Sequence, residues 1–234
     1  EGLGGEMHRT MNAGPHPELS GIALNLLRNK RSIALDLKHA DGHRAFLDVA
    51  ATADVMVTNL RPGPVGRLRL DHESVRRVRP DIVYCQAHGW SSDSEDGESP
   101  AYDDIIQSAT GVGDVFRRAG HEPSLMPTLV ADKVCGMAIA NAVMAALLHR
   151  GATGEGQHVE VPMFDVMRAF MLTEHGAGAI AEPPQAPPGH QRILTPQRRP
   201  QPTLDGWINV LPYDQHHYEV IFAAGGRSDV DTDQ

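Results

Sequence analysis

Aromatic side chains are scarce in this chain: Phe, Tyr and Trp make up 5% of its 234 residues. A core must therefore be filled by Ala, Val, Leu, Ile and Met. Cysteine is almost missing. Cys85 and Cys135 are the two, and they stand in no CxxC or Cys/His spacing, which argues against a disulfide framework and a zinc module. Each sits in an apolar run and reads as a small core residue. Positive charge is the minority sign, with 21 Lys and Arg against 30 Asp and Glu and a formal charge of −9. An acidic surface repels a phosphate backbone, so no nucleic acid partner is expected, although local basic clusters remain able to hold a small anion. No apolar run reaches the ~18 residues of a membrane span, and no signal peptide is visible. The expectation is a soluble, cytoplasmic protein without a membrane partner. There is no GxSxG elbow and no Walker sequence. The 13 histidines are scattered, with His216-His217 the adjacent pair and no third ligand at a metal spacing, so no metal is expected.

What remains is an ordinary globular composition, 41% hydrophobic and 22% charged. The first 28 residues are Gly-, Pro- and His-rich loop, with a short helix at 22–27. Strands are expected at 32–37, 54–58, 81–85 and 157–161, and helices at 42–53, 65–68, 71–78, 102–111 and 163–172. Asp71 is placed as an N-cap. This strand–helix–strand order implies an α/β fold with a parallel sheet. Residues 113–127 show no period and read as irregular. The strongest helix runs over 133–148, KVCGMAIANAVMAALL, apolar nearly all round and rich in small residues, which predicts burial against other backbone. Residues 181–202 are Pro-rich, a strand is expected at 207–211, and a final helix at 218–224. The chain starts at Glu1, and its last residues, including Asp229, Asp231 and Asp233, are polar.

Asp132 stands just before the long helix, read as N-cap or N1. There the free N–H groups and the helix dipole favour a negative charge, whereas burial raises a carboxylate's pKa. An ionised but poorly hydrated carboxylate is a usable nucleophile; a plain capping Asp is the alternative. Asn59, Arg61 and Pro62-Gly63 fall at the carboxyl end of a strand, with Arg67 a turn further on. Open α/β sheets bind ligands at that end, and arginine makes charge-assisted bonds to phosphate. Lys30, Arg31 and Lys38 flank another strand and read as surface charge when taken alone. Tyr102-Asp103-Asp104 opens a helix after a polar loop.

The ordered set of motifs resembles the family III CoA-transferases, also called the CaiB/BaiF family. The stretches are NKRSIALDLK at 29–38, ADVMVTNLRPG at 53–63, PAYD at 100–103, ADK at 131–133, TGEGQHVEV at 153–161, and RRP at 198–200 leading to DGW at 205–207. The resemblance implies a Rossmann-like CoA-binding large domain over 1–172, a linker over 173–202, and the start of a smaller second domain over 203–234. It implies that a strand–helix–strand precedes Glu1 and that more of the small domain follows. It makes Asp132 the catalytic nucleophile. CoA-contacting positions fall on Leu35, Asp36, Leu37 and Lys38, on Asn59, Leu60 and Arg61, on Arg67, and on Tyr102 and Asp103. Coenzyme A is implied as substrate and product, acyl-CoA and a carboxylic acid as the exchanging partners, and an interlocked homodimer as the assembly. The same family includes α-methylacyl-CoA racemases, whose paired His and Asp act as acid and base. Here Tyr102 stands at the His position, and a tyrosine with a pKa near ~10 is a poor base at neutral pH, which favours transfer. A catalytically inactive scaffold is the non-enzymatic alternative.

Overall fold

The structure, a computed structural model, describes residues 1–227. The polar run through Asp229, Asp231 and Asp233 lies outside the described residues, as does the end of the expected 203–234 segment. The chain divides into two compact units. One comprises Glu1–Gly113 and Leu125–His175, and the other Asp114–Ser124 with the described residues from Gly176 on.

The first unit carries, in chain order, α1 (Gly21–Leu26), α2 (Ala40–Ala50), β1 (Val55–Thr58), α3 (Pro62–Arg67), α4 (His72–Arg76), β2 (Val83–Gln86) and α5 (Asp103–Ala109). At α6 (Val112–Arg118) the chain passes to the second unit, and it returns before α7 (Val130–Thr153), β3 (His158–Glu160) and α8 (Met163–His175). The second unit adds a two-stranded antiparallel pair, β4 (Gln201–Pro202) and β5 (Trp207–Ile208), and the helix α9 (Gln215–Ala224).

The three long-range strands form one parallel sheet in the order β1-β2-β3. The central strand β2 is buried at all four positions, as a strand covered on both faces must be. Alternation along β2 divides the core. Tyr84 points to one face, where Ala50, Val75 and Ile82 pack with Phe46 and Met56. Cys85 points to the other, against Val161 and Ala138, Ile139, Ala142 and Val143 of α7. A third cluster, Ile106, Ala131, Cys135 and Met167, joins α5, α7 and α8.

Electrostatics sets the direction of α7. Arg150, near its C-terminal end, donates to the backbone carbonyls of Asp54 and Asp81 at 3.1 and 3.3 Å and to Asp54 Oδ1 at 3.0 Å. Those residues lead into β1 and β2. The C-terminal end of α7 is therefore fastened to the amino ends of the strands, and its N-terminal end is directed to their carboxyl ends, where ligands bind in such sheets. Gly154, at φ +80°, closes the helix in the left-handed conformation that glycine tolerates.

Four expectations need correction. Residues 32–37 are extended but form no strand. The Glu1 amino group donates to Ile33 O at 2.8 Å and Leu35 N–H donates to Glu1 O at 3.1 Å, and two bonds to one residue do not make a ladder. Residues 113–127 are not wholly irregular. Val112, Val115 and Phe116 share a helical face in α6, and an Arg117–Asp114 pair at 2.6 Å supports it. The strand expected at 207–211 stops at Ile208. Finally, α7 is longer than expected and not buried all round. Ala131, Cys135 and Ala146 are buried, whereas Met137, Met144 and Leu148 are exposed. Among the described residues it is also the one helix long and apolar enough, by length and composition, to cross a membrane. Here it packs against β2, β3, α5 and α8.

Candidate functional site

Leu129 caps α7, which makes Asp132 the third residue of the helix rather than its N-cap or first residue. Leucine has no oxygen to accept the free N–H groups of the first turn. That role passes to another element. Asp103, the first residue of α5, accepts the Asp132 N–H at Oδ1, 3.1 Å away. A carboxylate from α5 thus caps α7 in place of a local side chain. Asp103 is itself buried and held. Gln107, one turn later and fully buried, donates to its Oδ2 at 2.6 Å, also reaches Thr128 O at 3.4 Å, and accepts Met126 N–H at 2.9 Å.

The Asp132 side chain is open to solvent at one side. Its carboxyl is nevertheless pushed above the usual aspartate range, first by protein packed against it and second by the negative charge of Asp103, with His8 in partial opposition. Water at the exposed side screens these effects and limits the shift. The carboxylate is less hydrated than a free one. Cys135, one turn along the same helix, does not compete as a nucleophile. Burial and the charges of Asp132 and Asp103 drive its thiol up to about 11.

A second cluster stands at the carboxyl end of β1. Thr58 Oγ1 accepts the Leu60 N–H at 3.2 Å, and Gln86 Nε2 of β2 reaches Leu60 O at 3.4 Å, which fixes the turn. Asn59, Arg61 and Arg67 are exposed. Arg61 Nη1 donates to Glu98 O at 2.6 Å, and Gly63 N–H donates to Glu98 Oε1 at 2.6 Å. A Cβ at Gly63 would lie 3.0 Å from Glu98 Oε2 and 3.2 Å from Arg67 Nη1, so a side chain there would crowd both. Glu98 therefore links the arginine cluster to the short segment that leads into Tyr102, Asp103 and α5. Tyr102 is 73% exposed, its ring free of any packing constraint.

Leu35, Asp36, Leu37 and Lys38 form a segment with its own local bonds. Asp36 Oδ1 accepts the Lys38 N–H at 3.0 Å in a local turn, and among the described residues no hydrogen bond joins these four to Asp132 or to the arginine cluster. Three participants escaped sequence reasoning. Gln107 was visible as an i, i+4 partner of Asp103 on one helix face. Glu98 was hidden inside a polar loop. The third is the buried His88, whose Nε2 meets Glu160 Oε1 at 2.8 Å while Ser92 donates to Glu160 from its amide at 2.7 Å and its hydroxyl at 2.9 Å. No local sequence signal connects residues 88, 92 and 160. Among the described residues no group of three or more His, Cys, Asp or Glu could hold a metal ion.

The molecule thus combines a mixed α/β fold with a parallel sheet, a carboxylate in the first turn of the helix crossing that sheet, and arginines at the end of its edge strand, on the side where open α/β sheets bind ligands. The chain belongs to CoA-transferase family III, whose model matches residues 1–234. It is 28% identical over 246 residues to a probable fatty acyl-CoA transferase of Mycobacterium tuberculosis, covering 100% of this chain and 62% of that protein. It is 29% identical over 181 residues to a succinate–glutarate CoA-transferase of Agrobacterium fabrum, covering 77% of this chain and 45% of that protein. A CaiB/BaiF family crystal structure from Brucella suis superposes with a TM-score of 0.83 at 24% identity, covering 100% of this chain and 63% of the other, a likeness of fold. An orthorhombic crystal form of the M. tuberculosis protein gives 0.78 at 27% identity, with 100% and 62% covered. The chain thus spans less than two thirds of the length of these relatives.

Proposed function

We propose that this chain supplies the CoA-binding and catalytic part of an acyl-CoA:carboxylate CoA-transferase, with Asp132 as the nucleophile. The observation that carries this reading is the Asp103–Asp132 arrangement. A buried, Gln107-held carboxylate orders the first turn of α7 and presents a second, less hydrated carboxylate beside it. The Asp132 carboxylate attacks the thioester carbonyl, giving a mixed anhydride and CoA thiolate. The thiolate then attacks the aspartyl carbonyl, which forms an aspartyl-CoA thioester and releases the first acid as its carboxylate. An incoming carboxylate attacks that thioester and expels CoA thiolate again. The thiolate takes the new acyl group, and Asp132 returns as a carboxylate.

Arg61 and Arg67 are the phosphate partners in this reading, because both guanidinium groups are accessible at the sheet's carboxyl edge. Asn59, Leu60 and Tyr102 line the same edge, and the 35–38 segment is assigned to CoA on family resemblance. The exposed apolar stripe of Met137, Met144 and Leu148 along α7 supports a homodimer in which that stripe is covered. The test is CoA exchange between an acyl-CoA and an isotopically labelled free acid. Asp132→Ala should abolish exchange while the circular dichroism spectrum is retained. Exchange at near wild-type rate would overturn the assignment.

A further inference from the structure

Of the 18 arginines in this chain, Arg9, Arg44, Arg76, Arg79, Arg117, Arg150 and Arg168 each sit in an ion pair with Asp or Glu. Three others are gathered around one cavity in the second unit. This cavity of about 430 Å³ is lined by Arg192, Arg198 and Arg199, together with Asn209 and Tyr213, and among the described residues by no Asp or Glu. Among the described residues none of these three arginines has an acidic partner. Arg192 is held in place, its guanidinium lying over the Tyr213 ring at 4.3 Å from the centroid. Close by, backbone carbonyls fix the course of the Arg198-Arg199 segment. The Gln201 amide donates to Gln197 O and Arg199 O at 3.3 and 2.9 Å, and Arg198 N–H donates to Thr195 O at 3.1 Å.

Three like charges around one cavity repel one another, and with no acid among them the arrangement is at its most stable when an anion enters. Planar guanidinium forks match oxyanions in two-point contacts, which a lysine cluster would not do. The volume is in the range of small-molecule sites.

We infer that the cavity formed by Arg192, Arg198 and Arg199 is a binding site for a small multivalent oxyanion. Phosphate and carboxylate groups share the chemistry these forks recognise, so one probe of each kind is needed. The cavity belongs to the second unit and Asp132 to the first, and the test is made independent of the CoA reading. Calorimetric titrations use the Arg61→Ala/Arg67→Ala chain, so that the two arginines assigned to CoA phosphates do not take up the probe. Inorganic pyrophosphate represents the phosphate class and tricarballylate the carboxylate class.

The expected result is saturable binding of one equivalent of at least one probe, weakening as salt is added. Adding Arg198→Gln and Arg199→Gln should weaken that binding by about tenfold or more, the loss expected for two charge-assisted contacts, with the thermal melt unchanged. Arg198→Lys keeps the charge without the fork and should fall between the two. The inference is overturned if neither probe gives a saturable heat, or if the Gln variants bind within about twofold of the parent, a difference too small for a lost ionic contact.

Discussion

Asp132 and Asp103 form an asymmetric pair. One is buried, capped and hydrogen-bonded by Gln107; the other faces solvent at the head of the helix. Asp103 contributes a negative charge that raises the Asp132 pKa, second to burial. Its removal therefore has a predictable sign. Asp103→Asn keeps an acceptor for the Asp132 N–H but deletes the charge, so Asp132 ionises at lower pH. If ionised Asp132 is the attacking group, the acid limb of the pH–kcat profile moves to lower pH in this variant; a limb that stays in place dissociates the pair from catalysis. Gly63 offers a second test. A methyl group there crowds Glu98 and Arg67, so Gly63→Ala should weaken CoA binding measured by calorimetry, by roughly the tenfold that one displaced ionic contact costs. At this scale the sequence was informative where chemistry and spacing coincide. Asp132 drew notice because a carboxylate precedes a run of small apolar residues, although position alone suits a plain cap and its proposed role rests on the family resemblance. Its position inside the helix was not, because the capping carboxylate comes from a residue 29 positions away.

Among elements, α7 and the segments that fasten its two ends matter most. At its C-terminal end Arg150 is largely covered and makes three bonds across the amino edge of the sheet. Arg150→Ala removes one donor from each of those two carbonyls and from the Asp54 carboxylate, which keeps Arg79 at 3.3 Å, and thermal or urea unfolding should report a loss on the order of 2 kcal/mol. Across the sheet the His88–Glu160–Ser92 network ties the 89–100 loop to β3. Burial alone would raise the Glu160 carboxyl, but the Ser92 amide and hydroxyl and the His88 ring outweigh it and hold the carboxyl below the usual range. The folded-state pKa is thus lower than that of the unfolded chain. The stabilisation is complete above the ordinary glutamate value of 4.5 and disappears as pH falls through the depressed one. A Glu160→Gln variant should lose stability at neutral pH and show a flatter acid limb than the parent. The strands expected at 54–58, 81–85 and 157–161, the Asp71 cap and the long helix were readable from periodicity and N-cap chemistry: Asp71 caps α4 by accepting the Ser74 N–H at 2.9 Å. The 32–37 strand was misread because its apolar residues suit a strand while its backbone makes only two bonds to Glu1 among the described residues.

For the whole molecule, the parallel order of the sheet and the orientation of α7 bring the end of β1 and the head of α7 to the carboxyl side of the sheet. The family resemblance supplied what no periodicity could, the expectation that this side faces an acyl-CoA. The apolar stripe of α7 is the whole-molecule feature that a buried-helix reading concealed, since composition cannot distinguish a helix buried within one chain from a helix covered by another. If a second copy covers that stripe, light scattering should report a dimer, and Met137→Glu with Met144→Glu should convert it to a monomer. A monomeric parent would remove the support this stripe gives to the assembly. The central claim is chemical, and mass spectrometry reads it directly. Protein quenched during turnover with acyl-CoA and digested should yield the peptide containing Asp132 carrying a CoA-derived adduct, absent in Asp132→Ala. A trapped adduct on another residue, or active turnover with Asp132 unmodified, would contradict it.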